Sequence, residues 1–441
     1  MIVLSHFYQK ASATLANHRR YARMRGYRHD VVDASVMPRE VPLCWQYRYE
    51  TLLNTLRHAQ EGELVLMLSE SAVILRPEDT LESFIGADNS LLVCTAAHNL
   101  PQVDVQIWRN TEEIRRVVYE IVKRCRLGGE PIASEAHLLA DLPTHHYTTT
   151  TDGICPVMQA GPNFDPLWSR IPTFAVSIDD QPQRPERKHI TARYRDILVA
   201  HINEHQASGL PMFHFPQYLT DNAERSVYNP GKSVALVTLH TPNIAIYGRI
   251  AEHNFSRYCD RHGYTLYVHR DIPQEIGMGK RVTGNWIKPW LLHGYLHHHD
   301  WVIWLDADVL IADQARPLEP LLDKSDYLLA HDIGKWQFNA GIVGLPRTSQ
   351  NETMLRDLMR DIVNLSDRSS VYASNGDQHH LIEAMTRANL LDEGTVLDFI
   401  SVNTPWMFRR PDSFMVHYFG MWPEMRAMMM AHDDLLLSGD S

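Results

Sequence analysis

At 441 residues the chain exceeds one ordinary hydrophobic core, so two domains are expected. Its 44% hydrophobic and 22% charged residues are those of a soluble globular protein. The net charge of -11 argues against broad nonspecific attraction to nucleic acid or to an anionic membrane, while leaving room for a local basic patch.

The chain opens on MIVLSHFYQK, a strand-like run ending near His6, without the basic region, long apolar core and cleavage site of a secretory leader. No window approaches 18 uninterrupted apolar residues, so no membrane span is expected. The cysteines Cys44, Cys94, Cys125, Cys155 and Cys259 are odd in number, scattered and without paired metal spacing, which fits buried thiols in a reducing cytoplasm. An amphipathic helix follows the first strand. Arg19, Arg20, Arg23, Arg25 and Arg28 cluster on or near it, either as a solvated face or as a basic face for an acceptor.

A second strand and helix lead to ELVLMLSESAVIL, Glu63 to Leu75, in which Ser69, Glu70 and Ser71 follow an apolar run. The Pro-rich stretch from Ile171 to Arg187 reads as a long loop inside the first domain. The polar segment 216–232, with Pro216, Pro230 and Gly231, reads as a linker, which places the domains at 1–225 and 226–441.

The second half repeats the first. LANHRRYARMRGYRHDVVDA (Leu15 to Ala34) resembles IAEHNFSRYCDRHGYTLYVHRD (Ile250 to Asp271), matching Asn17 with Asn254, Tyr21 with Tyr258, Gly26 with Gly263 and Tyr27 with Tyr264. ELVLMLSESAVIL matches DWVIWLDADVLIA (Asp300 to Ala312), and SLLV (Ser90 to Val93) matches YLLA (Tyr327 to Ala330). The separation is 237 residues in all three blocks. Strands alternating with helices imply βαβ units, so the expected fold is α/β, with two tandem Rossmann-related domains around mostly parallel sheets.

In the second half, Trp301 to Leu305 form an unbroken apolar run, as for a strand buried on both faces. Asp306 and Asp308 follow, two apart, so extended geometry would point both to one side at the carboxyl end of the strand, where open α/β sheets bind ligands. Two converging carboxylates repel unless a cation lies between them, and oxygen ligands suit Mn²⁺ or Mg²⁺. The competing reading is an Asp pair capping a turn and the next helix. Ser69 and Ser71 hold the matching places in the first half, and neutral hydroxyls attract a divalent ion far less. The first half is therefore expected to have lost metal binding, as a non-catalytic copy kept for packing, dimerisation or acceptor binding.

Five motifs in order, NWIKPWLL (Asn285 to Leu292), WLDADVLI (Trp304 to Ile311), FNAGIVGLPRT (Phe338 to Thr348), GDQHHLIEAM (Gly376 to Met385) and VHYFGMW (Val416 to Trp422), resemble a GT-A glycosyltransferase. More narrowly, Ser233 to His432 is similar to family 34, the group of fungal alpha-galactosyltransferases, mannan mannosyltransferases and plant xyloglucan xylosyltransferases. The resemblance implies Asp306, Asp308 and His417 as metal ligands, and Lys288 as a clamp on the diphosphate of a UDP-sugar. It places Asn339 and Gly341 at the donor sugar, Asp377 and Gln378 at the sugar hydroxyls and the anomeric centre, and Asp332 beside the sugar. Thr238, His240 and Thr241 end the first strand of this half, near the uracil or ribose, and Gly420 lets the backbone approach a diphosphate. From the residues alone, Lys288 also reads as a solvated helix lysine, Asp377 as an N-cap and His417 as a core histidine. His297, His298 and His299 read as a helix end, and Met425, Met428, Met429 and Met430 as groove-filling residues of a terminal helix.

The resemblance thus implies a metal-dependent, retaining alpha-glycosyltransferase that moves galactose or glucose from a UDP-sugar to an acceptor hydroxyl. The acceptor expected is a glycan, a lipopolysaccharide core or a modified nucleobase, in a bacterial or viral cytoplasm. The alternatives are a non-catalytic sugar-nucleotide-binding protein and a haloacid-dehalogenase-type phosphatase. The latter fits poorly, because it expects Asp-x-Asp near a domain's start and a later acidic pair.

Overall fold

The computed structural model describes residues 1–37, 40–95, 101–127, 132–140, 142, 174–178, 185–209, 223–277, 282–368, 376–391, 394–421 and 423–438. Cys155, Trp422, residues 216–222 of the expected linker and the side chain of Met425 lie outside the described set. The chain separates into two compact units, Met1–Phe213 and His214–Ser441.

The first unit contains β1 (Ile2–Phe7), β2 (Arg28–Asp33), β3 (Leu64–Ser69), β4 (Ala72–Ile74), β5 (Leu91–Thr95), β6 (Pro101–Arg109) and β7 (Ala175–Ser177). Its main sheet runs β2-β1-β3-β6-β5, with β2, β1 and β3 parallel and β6 and β5 antiparallel to their neighbours. A short antiparallel pair, β4 with β7, lies apart from it. The Pro-rich stretch expected to be a loop contains, where it is described, the fully buried β7, held by the ladder bonds it completes with β4, and the start of the helix Pro185–Ser208.

The second unit contains β8 (Arg225–Tyr228), β9 (Val234–Leu239), β10 (Thr265–His269), β11 (Trp301–Leu305), β12 (Val309–Ile311), β13 (Ile342–Pro346), β14 (Thr404–Pro405) and β15 (Met415–His417). Its main sheet runs β13-β11-β9-β10-β8, with β10, β9 and β11 parallel and antiparallel strands at both edges. β12 pairs antiparallel with β15, which pairs parallel with β14. Both units are therefore α/β, each with three parallel strands, at one side of the sheet in the first unit and at its centre in the second, as expected from the alternation of strands and helices.

Two expectations change. The end of the expected linker is β8, an edge strand on β10, and the chain turns back into β9 through Asn229 and Gly231, both with positive φ (47° and 81°). YLLA makes only two isolated bridges, Leu328 with Gly344 and Ala330 with Leu397, because it crosses from one partner to another before a ladder can form.

The 237-residue spacing has a physical counterpart. The helices Ser12–Arg25 and Ala245–His262 both end at a left-handed glycine, Gly26 (φ 68°) and Gly263 (φ 73°), a conformation that costs an L side chain energy. The Asn17 amide donates to Ile74 O (3.0 Å) and accepts from Ile74 N (2.8 Å); Asn254 does the same with Ile311 (3.3 and 2.8 Å). Tyr21 donates to Asp79 O and Tyr258 to Arg316 O. Each clasp pins the strand that follows the Ser-Glu-Ser or Asp-Ala-Asp segment against a buried helix.

Because each clasp satisfies both polar groups of a buried peptide, Asn17→Ala and Asn254→Ala should each lower the stability of its own unit by about 2–4 kcal/mol. Denaturant unfolding of the full chain checks this; a loss below about 0.5 kcal/mol would mean the clasp is not structural.

Candidate active site

β11 ends at Leu305, and the chain turns at once: Val309 N donates to Asp306 O at 3.1 Å. The Asp pair therefore converges through a turn rather than along an extended strand. Asp306 N is tied to Gly341 O (2.8 Å), and Tyr418 N to Asp308 O (2.8 Å). β12 then lies against β15 with Val309 opposite His417, which carries the imidazole back to the turn. One ligand atom from each of Asp306, Asp308 and His417 lies within 4.8 Å of the others.

The donor set suits a hard divalent cation. His417 Nδ1 lies 3.0 Å from Asn403 Oδ1, while Asn403 Nδ2 donates to Asn339 Oδ1 (3.0 Å). With its amide so oriented, Asn403 accepts from Nδ1–H, which leaves the Nε2 lone pair facing Asp308 Oδ1 at 3.1 Å. Two acceptors at that distance need a proton or a cation between them. A histidine oriented through its second nitrogen is the usual arrangement at metal centres. Burial alone would push the Asp308 carboxyl up, but Arg426, 3.3 Å from Oδ2, holds it well below the usual carboxylate range.

Gly341 makes this possible. A Cβ there would sit 2.2 Å from His417 Cε1 and 2.6 Å from Nδ1. Asn339 is the hub beside it: Oδ1 accepts from Gly341 N (2.9 Å), and Nδ2 donates to Asp332 Oδ1 (3.1 Å). Asn339 and Asp332 thus act as one polar pair at the mouth of β13. Gly420 has φ 73° just after β15, where a side chain would be strained.

Lys288 begins the helix Lys288–Leu296 and is buried, so the solvated-lysine reading fails. Its ammonium donates to Ala340 O at 2.5 Å and lies 3.4 Å from Asp306 Oδ1 and 3.6 Å from Asp377 Oδ2, against the Trp304 ring. Burial would lower its pKa, but Asp306 and Asp377 outweigh burial and raise it, so the charge is permanent. Asp377 is the first residue of the helix Asp377–Arg387, with Gly376 at the N-cap, so its carboxylate is not a cap but a partner of Lys288. Burial raises its pKa to about 6, opposed by Lys288. Gln378 Oε1 accepts from Ala340 N at 3.0 Å. Lys288, anchored by Asp377, and Gln378 therefore hold the carbonyl and the N–H of Ala340 on the approach to β13.

At the end of β9 the picture is more structural. Thr238 is buried, and its hydroxyl has no hydrogen-bond partner among the described residues. Thr241 donates to Asn243 Oδ1 at 2.6 Å. His240 is turned inward, 3.2 Å from Glu252 Oε2, in a network in which Arg270 Nε also binds Glu252 (3.1 Å) and Tyr228 donates to it (3.0 Å). Against the cost of burial, His240 and Arg270 take the Glu252 carboxyl down to about 2. His297 faces Glu352 and His299 faces Lys232 O, in keeping with a helix end.

Two contributors escaped sequence reasoning. Asn403 follows the helix Phe399–Val402 without a motif around it, and Arg426 lies in the Met cluster, where a lone cation among four methionines is the one sequence signal of a role beyond packing.

No family model and no curated protein matches the chain. Among solved structures, it is similar to a glycosyltransferase involved in glycosylating the major capsid protein of the virus PBCV-1, at 19% identity over 45% of this chain and 98% of that one, TM-score 0.37. The glycosyltransferase GlyE of Streptococcus pneumoniae matches at 16% identity over 42% and 54%, TM-score 0.29. The bifunctional glycosyltransferase WbbM matches at 10% identity over 95% and 93%, TM-score 0.29. With TM-scores below 0.5, these likenesses leave the chemistry to be read from the chain's own residues.

Gly341→Ala should move the imidazole off Asp308 and lower divalent-cation affinity about 10–100-fold with little change in secondary structure; calorimetric titration checks it, and unchanged affinity would remove His417 from the ligand set. Glu252→Gln strands the Arg270 charge and should cost about 3 kcal/mol at pH 7. Glu252 has a depressed folded pKa, so its contribution is full above about pH 4.5 and fades as pH falls toward about 2. The gap between parent and variant should close over that window in pH-dependent unfolding.

Proposed function

We propose that the second unit is a metal-dependent retaining glycosyltransferase, transferring galactose or glucose from a UDP-sugar to an acceptor hydroxyl with alpha stereochemistry. The observation that carries this reading is the convergence of Asp306, Asp308 and the Nε2 lone pair of His417 beside the buried Lys288–Asp377 pair. Retention and the UDP donor come from the motif resemblance to family 34.

Asp306, Asp308 and His417 would hold Mn²⁺ or Mg²⁺. A cation bound there neutralises charge developing on a diphosphate leaving group. Lys288 fixes Asp306 and Asp377 in place and adds a positive field on the same side. Asn339, Asp332 and Gln378 offer amide and carboxylate groups to sugar hydroxyls, with Asp377 toward the anomeric centre. Thr238, His240 and Thr241 shape the end of β9 where the nucleoside is placed, and Gly341 and Gly420 give the backbone room. The acceptor supplies only a hydroxyl nucleophile; a glycan, a lipopolysaccharide core and a modified nucleobase remain the acceptors to screen. No helix among the described residues is long and apolar enough to cross a membrane.

Incubation with UDP-galactose, UDP-glucose and Mn²⁺, followed by mass spectrometry of released UDP and glycosylated acceptor, tests the reading. Asp308→Ala should reduce transfer at least about 1,000-fold, a loss of about 4 kcal/mol of transition-state stabilisation, with the fold intact. EDTA should do the same to the parent. Full turnover in EDTA sinks the proposal.

A further inference from the structure

The first unit repeats the frame of this site with other side chains at its centre. β3 pairs with β6 so that Leu68 faces Val105, as Leu305 faces Ile342 between β11 and β13. Asp104 therefore stands where Gly341 stands. Gln102 stands where Asn339 does, its Oε1 accepting from Asp104 N as Asn339 accepts from Gly341 N. β4 and β7 set Ala72 opposite Ser177, as Val309 lies opposite His417, and Ile178 N donates to Ser71 O (2.8 Å) as Tyr418 N donates to Asp308 O. Ser69, Ser71 and Ser177 thus hold the places of Asp306, Asp308 and His417.

The surroundings are kept in kind. Arg48 donates to Val103 O (2.7 Å) and binds Glu135 (3.1 Å), the first residue of the helix Glu135–Ala140, as Lys288 holds Ala340 O and Asp377. Arg195 donates to Ser71 Oγ at 3.1 Å, as Arg426 lies against Asp308. The centre differs. Ser69 donates to Asp104 Oδ1 at 2.5 Å, Ser177 donates to Oδ2, and Gln102 Nε2 donates to Oδ2 at 2.7 Å. Both carboxylate oxygens are turned toward protein donors, and two of those donors, Ser69 and Ser177, stand at places from which a cation would be ligated.

We propose that Asp104 is a built-in occupant of the first unit's copy of the cation site: its carboxylate, clasped by Ser69 and Ser177, fills the place the cation takes in the second unit. The first unit then holds its copy of the site closed without a divalent ion. This rests on Asp306, Asp308 and His417 being cation ligands. A glycine at position 104 and ligands at 69, 71 and 177 would reopen the site.

Mn²⁺ titration of the full chain, followed by electron paramagnetic resonance, tests this in three proteins: the parent, Asp306→Ala/Asp308→Ala, and that double variant carrying Ser69→Asp, Ser71→Asp, Asp104→Gly and Ser177→His. The double variant is expected to lose one bound ion relative to the parent, and the rebuilt variant to regain one. A site that survives at parental affinity in the double variant and disappears when Asp104→Ala is added overturns the proposal, because the first unit then binds the ion with Asp104 in place. A rebuilt variant that keeps parental circular dichroism yet binds no Mn²⁺ overturns it too. If the rebuilt chain does not fold, Ser69→Asp/Ser71→Asp/Asp104→Gly, which restores both carboxylates of the Asp pair and vacates the centre, is titrated instead under the same criteria. No binding by the parent would defeat the reading of the second unit, and the rebuilt chain alone would then decide for Asp104.

Discussion

The site depends on a missing atom. β11 and β13 run side by side, and the peptide that enters β13 passes so close to the imidazole of His417 that a Cβ at Gly341 would overlap it at 2.2 Å. Without that side chain, the ring closes on Asp308, and Gly341 still binds Asp306 N through its carbonyl and Asn339 through its N–H. One glycine therefore sets the distance between an Asp pair and a histidine delivered by two separate parts of the chain. Where the first unit has Asp104 at the equivalent place, the same cleft is filled from inside.

Such convergence needs a rigid base, and the sheet supplies it. β9, β10 and β11 are buried along nearly their whole length, so burial of β-branched and aromatic side chains fixes their register. The short strand after the turn has little area of its own to bury. The amide of Asn254 holds it, doing at Ile311 what a neighbouring strand would do in a longer ladder. The candidate ligands thus sit on a segment pinned at both ends, by the Asp306–Gly341 and Ile311–Asn254 bonds. Pre-fixed ligands lose less conformational entropy when an ion arrives.

Much of this was legible in the sequence, for identifiable reasons. The apolar run before Asp306 reads as a buried strand, and the repeat pairs Gly26 with Gly263, which the structure shows as left-handed helix caps. What one-dimensional reasoning missed depends on register between distant segments. The turn at Asp306 replaced an extended geometry because β12 must reverse to meet β15. Lys288 looked like a surface lysine until the sheet placed two carboxylates and a carbonyl around it. Asn403 and Arg426 carried no spacing signal, since each meets its partner across a long loop. Asp104 was invisible for the same reason: Ser69 and Ser71 marked what the first half had lost, while the replacement comes from β6, whose pairing no local pattern specifies.

The charge balance explains why the second unit's site is poised rather than neutral. Asp306, Asp308 and Asp377 bring three carboxylates together, and Lys288 and Arg426 supply two fixed cations, each against a different carboxylate. The remainder is about one negative charge in a largely buried space, where an uncompensated charge is costly. The site relieves part of it by holding the Asp377 proton up to about pH 6. A divalent ion would reverse the sign and leave a net positive pocket, which then favours a diphosphate over a neutral sugar. Under the proposed reading the order of binding would follow from that sign, with the cation creating the field that holds the nucleotide. In the first unit the corresponding balance is met within the chain, with Arg48 against Glu135 and hydroxyls against Asp104, so no field of that kind develops.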